Sequence, residues 1–199
     1  MIASLYELYN FAFDDFFLVI ILTPIFIFLT LNPLFYYDYD KLLLKYYSIK
    51  TWWTDKFKAL TVLILIYVTV LNLIYLFSIL FNGLIGYFTV PFALFFISTC
   101  VLQIFGYLFI SFLFLTIYYI LNYKIISGFI TYLVIIMPSI IEGVFYKEVI
   151  SLLKIMYFKN PERYSYLQSL LILSVGLIFI VFLNFSIIKK KDIYWSSGR

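Results

Sequence analysis

From Ala59 to Tyr123 the chain runs 65 residues without an Asp, Glu, Lys or Arg, and most of them are aliphatic or aromatic. A soluble domain cannot carry such a run, because its surface must be wetted by charge, whereas roughly 20 apolar helical residues cross a hydrocarbon core about 30 Å thick. The run predicts at least two membrane spans joined as a hairpin by Asn82-Gly83-Leu84-Ile85-Gly86, with Pro91 opening the second. Dividing the rest of the chain at charged and turn-forming residues gives spans near 16–36, 58–82, 92–122, 125–145 and 168–188. The predicted fold class is an all-α integral membrane protein: one transmembrane domain over residues 1–195, with five helices, a cytoplasmic interfacial segment and an outer amphipathic helix. Ser196-Ser197-Gly198-Arg199 reads as a flexible tail without a functional part.

Two segments between spans have their own pattern. From Asp38 to Lys58 five Lys mix with Tyr46, Tyr47, Trp52 and Trp53 and lead directly into a span. Trp and Tyr favour the headgroup zone and Lys is drawn to anionic lipid, so membrane anchoring accounts for every residue type. The functional alternative is a short helix under the bilayer that docks on a cytoplasmic partner. Its buried anchors would be Leu42, Leu43 and Leu44 or the Trp52–Trp53 pair, with Lys50 and Lys56 at the water boundary. From Tyr146 to Lys159, Lys147, Glu148, Ser151 and Lys154 share one helical face and Asn160-Pro161 ends the pattern, which predicts an amphipathic helix on the outer surface.

Charge sets the orientation. With the amino terminus outside, Lys41, Lys45, Lys50, Lys56, Lys58, Lys124, Lys189, Lys190, Lys191 and Arg199 are cytoplasmic, while Lys147, Lys154, Lys159 and Arg163 are outside. The carboxyl terminus is then cytoplasmic. The net charge of +4 therefore reports topology and points to no nucleic acid. The first 15 residues hold Glu7, Asp14 and Asp15 and no basic residue, so no cleaved signal is expected.

Composition narrows the chemistry further. Only 12% of residues are charged, against about 25% in soluble domains. That leaves no room for a nucleotide-binding domain, so ATP chemistry would belong to another chain. There is no His, and the one Cys, Cys100, sits in the apolar run as a packing residue. No catalytic constellation, cofactor motif or metal-ligand set can be assembled. Glu142, near the outer end of the fourth span, reads as an interfacial carboxylate rather than a proton carrier. Pro24 and Pro138 fall within spans and predict kinks. Without a Gly-xxx-Gly pair in any span, packing must rest on large side chains, here 24 Phe and 20 Tyr.

The stretch Tyr46-Tyr47-Ser48-Ile49-Lys50-Thr51-Trp52-Trp53-Thr54-Asp55-Lys56-Phe57 and the ending Lys189-Lys190-Lys191-Asp192-Ile193 resemble permease subunits of bacterial ABC transporters of the six-span exporter class. The nearest likeness is to the small, lysine- and aromatic-rich permeases of antimicrobial peptide export or immunity. The resemblance covers most of residues 10–193 and lacks that family's first span. It implies a permease in the bacterial cell membrane, with a second permease chain, identical or a sister subunit, and a cytoplasmic ABC ATPase that binds ATP and Mg. It also implies that the Asp38 to Lys58 segment couples ATPase closure to the spans, and that the substrate is a hydrophobic peptide or a lipid-like compound. Two other readings fit the same inventory: a non-transporting immunity or accessory protein that binds a membrane-active peptide, and a small substrate-binding subunit of a vitamin importer.

Overall fold

The computed structural model describes residues 5–36, 48–145, 151–159 and 165–190, and every regular element among them is helical. Helix α1 is Leu5–Ala12. Helix α2 (Asp15–Phe17) passes through a π-helical turn, Leu18–Leu22, into α3 (Thr23–Tyr36). Then come α4 (Ile49–Phe81), a 3-10 turn (Leu84–Tyr87), α5 (Val90–Leu121), α6 (Lys124–Phe145), the short α7 (Leu152–Met156) and α8 (Tyr166–Lys190). Five stretches are long and apolar enough to cross a membrane: Leu5–Thr30, Lys50–Phe81, Val90–Leu121, Lys124–Glu142 and Tyr166–Lys189.

The uncharged run forms a two-helix hairpin whose ends are set by local chemistry. Gly83 adopts φ +67 just past α4, a conformation a side chain would oppose. Pro91 lies in the first turn of α5, where a missing N–H costs nothing. Asn122 ends α5 in the left-handed region (φ 62) and lets α6 start two residues later. In the first span Pro24 is accommodated by the π turn that precedes it. Hydroxyls bond to carbonyls of this turn: Thr23 Oγ1 donates to the Leu18 carbonyl (2.8 Å), which also accepts the Thr23 N–H, and Tyr67 OH donates to that of Leu22 (2.9 Å).

Helix α5 is the hub. Of its most apolar window 61% is buried, against 22–33% in the other four. Helices α4, α6 and α8 each pack on it, and α3 lies between α4 and α6. The α4–α5 hairpin, of 33 and 32 residues, is about 50 Å long, whereas the 22 residues of α6 reach only about 33 Å. This mismatch leaves a step at the end where α4 turns into α5, and two short elements fill it.

The first is α1, which the sequence pattern did not predict. It buries Leu5 and Tyr9 on one face and sets Tyr6 edge-on against Phe92 and Phe95. The second is the Ser151–Lys159 segment, and here the structure departs from the predicted surface helix. Only five residues are helical, and Ser151, Leu153, Ile155, Met156 and Tyr157 are all at most 5% exposed. The apolar side chains go into the step between the helices instead of facing outward, because that buries both of their sides. Lys147 and Glu148, which shaped the expectation, lie outside the described residues.

Met156 sits directly on Gly106 at the middle of α5. A Cβ at that position would lie 2.7 Å from the Met156 Cβ. Gly106→Val should therefore destabilise the fold by about 1–3 kcal/mol, and Met156→Gly in the same chain, which removes the opposing Cβ, should recover part of the loss. Thermal unfolding of the detergent-solubilised single and double variants measures both.

Candidate functional site

A stripe of uncharged polar side chains runs along α5. Thr99, Gln103, Tyr107 and Ser111 follow one another at four-residue steps, which keeps them on one slowly winding face, and none is more than 1% exposed. Polar groups out of water need partners, and those partners come from all sides. Gln103 Oε1 accepts from Asn72 Nδ2 of α4 (2.7 Å), and Gln103 Nε2 donates to Tyr9 OH of α1 (3.1 Å). Tyr107 OH and Tyr157 OH lie 2.6 Å apart. Ser111 Oγ, with no neighbour to reach, donates back to the Tyr107 carbonyl. Lower on α5, Asn184 of α8 donates to the Phe112 carbonyl (2.8 Å) and to Thr116 Oγ1 (2.7 Å).

Two amide oxygens in this interior, Asn72 Oδ1 and Asn184 Oδ1, accept no hydrogen bond from the described residues. The Asn72 amide is held in its orientation because Nδ2 also donates to the Val68 carbonyl (2.8 Å), and a flip would set two oxygens together.

At the α4-to-α5 end the stripe is closed by α1 and by the Ser151–Lys159 segment. Tyr157 packs on Phe13 and Phe158 on Phe95, and burial pushes the Tyr157 phenol well above its usual pKa, so its hydroxyl keeps its proton. Two ion pairs hold the segment to the rim: Lys154 Nζ to Glu142 Oε1 (2.6 Å) and Lys159 Nζ to Asp15 Oδ1 (2.7 Å). Glu142 thus has a fixed cationic partner. Asp14 Oδ2 caps α2 by accepting from the Phe16 N–H (3.0 Å).

The opposite end is basic. Lys50, Lys58, Lys124 and Lys189 are exposed there. The residues expected to dock a partner are divided by the structure. Leu42, Leu43 and Leu44 lie outside the described residues. Ile49 to Lys58 is not a separate helix under the bilayer: it forms the first three turns of α4, begun by Ser48, whose Oγ accepts from the Thr51 N–H (3.2 Å). No Gly or Pro interrupts the chain there, and the buried face of α4 continues unbroken through Trp52, Lys56, Leu60, Ile64, Val68, Asn72 and Tyr75.

Trp52 and Lys56 therefore point inward, each 1% exposed, and are not surface anchors. Lys56 Nζ donates to Tyr119 OH (2.8 Å) and lies 4.9 Å from the centre of the Trp52 ring. Trp53 is half-buried against Phe112, and Lys50 remains free to meet water or a partner. Among the described residues Lys56 is the only Lys, Arg, Asp or Glu side chain buried to this extent.

Asn72 and Gln103 lie 31 residues apart, and nothing local in the chain pairs them. The four-residue spacing of Thr99, Gln103, Tyr107 and Ser111 is the one sequence signal for the stripe, and other hydroxyl-bearing residues scattered through the same apolar run mask it.

No protein-family model matches this sequence, and neither a curated protein nor a solved structure matches it. The site has to be read from its own geometry.

If the Asn72–Gln103 bond joins α4 to α5, a double-mutant cycle of Asn72→Ala and Gln103→Ala should give a coupling energy of about 1 kcal/mol. Unfolding midpoints of the four proteins in one detergent provide it, and additive losses would show the bond to be energetically silent.

Proposed function

We propose that this chain is the membrane-spanning permease subunit of an ATP-driven ABC exporter, with the basic end in the cytoplasm and ATP and Mg bound by a separate ATPase chain. The observation that carries the proposal is α4. This single helix starts among charges at the basic end, exposed Lys50 and Lys58 with half-buried Asp55, and ends some 50 Å away. On the way it holds Tyr119 through Lys56, the π turn through Tyr67, the polar stripe through Asn72 and α1 through Tyr75. A push on the basic end would reach the polar stripe through Asn72 and α1 through Tyr75, which is what a coupling lever requires.

Membrane residence is supported by the outer surface. Phe11, Ile125, Val90 and Ile178 are at least 70% exposed, and α8 turns Leu167, Leu171, Val175, Phe179 and Phe182 outward. Water-soluble surfaces do not gather apolar side chains at this density. The Lys-rich end is cytoplasmic by the bias that retains Lys and Arg there. A hydrophobic peptide or lipid-like substrate suits the apolar cleft of about 510 Å³ between α3 and α4, lined by Ile25, Leu29, Val62 and Ile66 among others. A second permease chain, identical or a sister subunit, would complete the transporter.

The test is recovery of the chain from its host in nanodiscs with partners identified by mass spectrometry. A stoichiometric ATPase chain is expected, whose ATP hydrolysis falls several-fold when Lys50→Glu and Lys58→Glu are combined, with thermal stability changed by no more than about 0.5 kcal/mol per substitution. A bound peptide or another membrane protein without any ATPase would replace this reading with the immunity or accessory one.

A further inference from the structure

We propose that the Ser151–Lys159 segment is a displaceable plug over the polar stripe of α5, seated in the structure and latched by two ion pairs. A five-residue helix has no stability of its own, so what holds the segment is its seat. The seat is specific. Met156 occupies the space left by the missing side chain of Gly106, Tyr157 meets Tyr107 hydroxyl to hydroxyl, and Phe158 packs on Phe95 and Tyr166. Phe158 takes a left-handed backbone (φ 50), a conformation costly for a bulky residue and maintained by the packing around it.

The latches sit where a movable element would need them. Lys154 and Glu142 keep 19% and 25% of their side chains exposed, and Lys159 and Asp15 keep 12% and 47%. Each charge is therefore close enough to water to be rehydrated on release, so parting the pairs leaves no bare charge in an apolar interior. The two acids come from different helices, α6 and α2, so a relative shift of those helices changes both latches at once. Nothing charged lies under the plug among the described residues at the stripe itself. Withdrawal uncovers Tyr107 and Gly106, giving an uncharged hydrogen-bonding surface an opening toward the acidic end. The inference rests on the transport reading only for what drives the opening.

The experiment uses Met156→Cys, fully buried while the plug is seated, in a Cys100→Ala background reconstituted in nanodiscs. Its reaction with a charged, membrane-impermeant methanethiosulfonate is timed. The parent should react slowly. Glu142→Gln and Asp15→Asn should each speed the reaction on the order of tenfold, the loss of one charge-assisted bond, and the reciprocal exchange Glu142→Lys with Lys154→Glu should return it toward the slow rate. Rapid labelling of the parent would mean the plug is not seated. Equal slow rates in all proteins would mean the segment is a fixed part of the core, and failure of the reciprocal exchange would mean the charges do not latch it. Any of these overturns the proposal. No ATPase is needed, so a chain that purifies without one can still give the expected labelling pattern.

Discussion

Burying hydrogen-bonding groups inside an apolar helix is the constraint on which the remaining architecture depends. Helix α5 carries Thr99, Gln103, Tyr107 and Ser111 on one face with essentially no exposure, and each must be satisfied by protein. Short hydroxyls solve this alone: Ser111 and Thr116 bond back to carbonyls one turn earlier. Longer groups cannot, and they recruit neighbours. Gln103 binds α4 and α1 together, Tyr107 binds the plug, and Thr116 shares the Asn184 amide with a backbone carbonyl, which fixes α8 against the hub. Apolar packing brings these helices together without direction, and the polar bonds select the register.

A second constraint is length. Because α4 and α5 outreach α6 by some ten residues, a recess forms beside them at one end, lined by aromatic rings. Tyr9, Phe13, Tyr75 and Phe95 meet there at ring separations of 4.8–5.9 Å, several of them edge to face, a geometry that adds to the burial of ring area. In a chain poor in glycine, such rings take the place of close backbone approach. The exceptions are informative: Gly106 and Gly176 are each in contact with one large side chain, Met156 and Phe109.

On the transport reading, these two constraints also distribute the mechanics. The basic end has the exposed charges that a soluble partner can grip, the acidic end has the element that closes the polar stripe, and α4 connects them as one rod. Rigid helices and discrete bonds such as Asn72–Gln103 are the kind of connection that has distinct arrangements rather than a continuum. The Lys56 site, where an amine lies between two aromatic rings, fixes the rod near its driven end.

The helices themselves were legible in the chain because their cause is local. Freedom from charge over 65 residues, the Gly83 turn, Pro91 and the polar breaks near Lys124 and Tyr166 mark where helices run and stop, and these depend on composition and backbone chemistry alone. What the sequence could not decide was which face of each helix finds a neighbour. Trp52 and Lys56 read as interfacial and are interior, because the face they share with Leu60 and Ile64 is covered by α5. Tyr146 to Lys159 reads as a surface helix, and its described part, residues 151–159, is inserted, because a recess exists only once the helices have packed. Helix α1 was overlooked because its amphipathic face is meaningful only beside Tyr75 and Phe92. Local propensity follows from neighbours in the chain, whereas burial, pairing and the closing of a site follow from neighbours in space, and those are fixed only by tertiary packing.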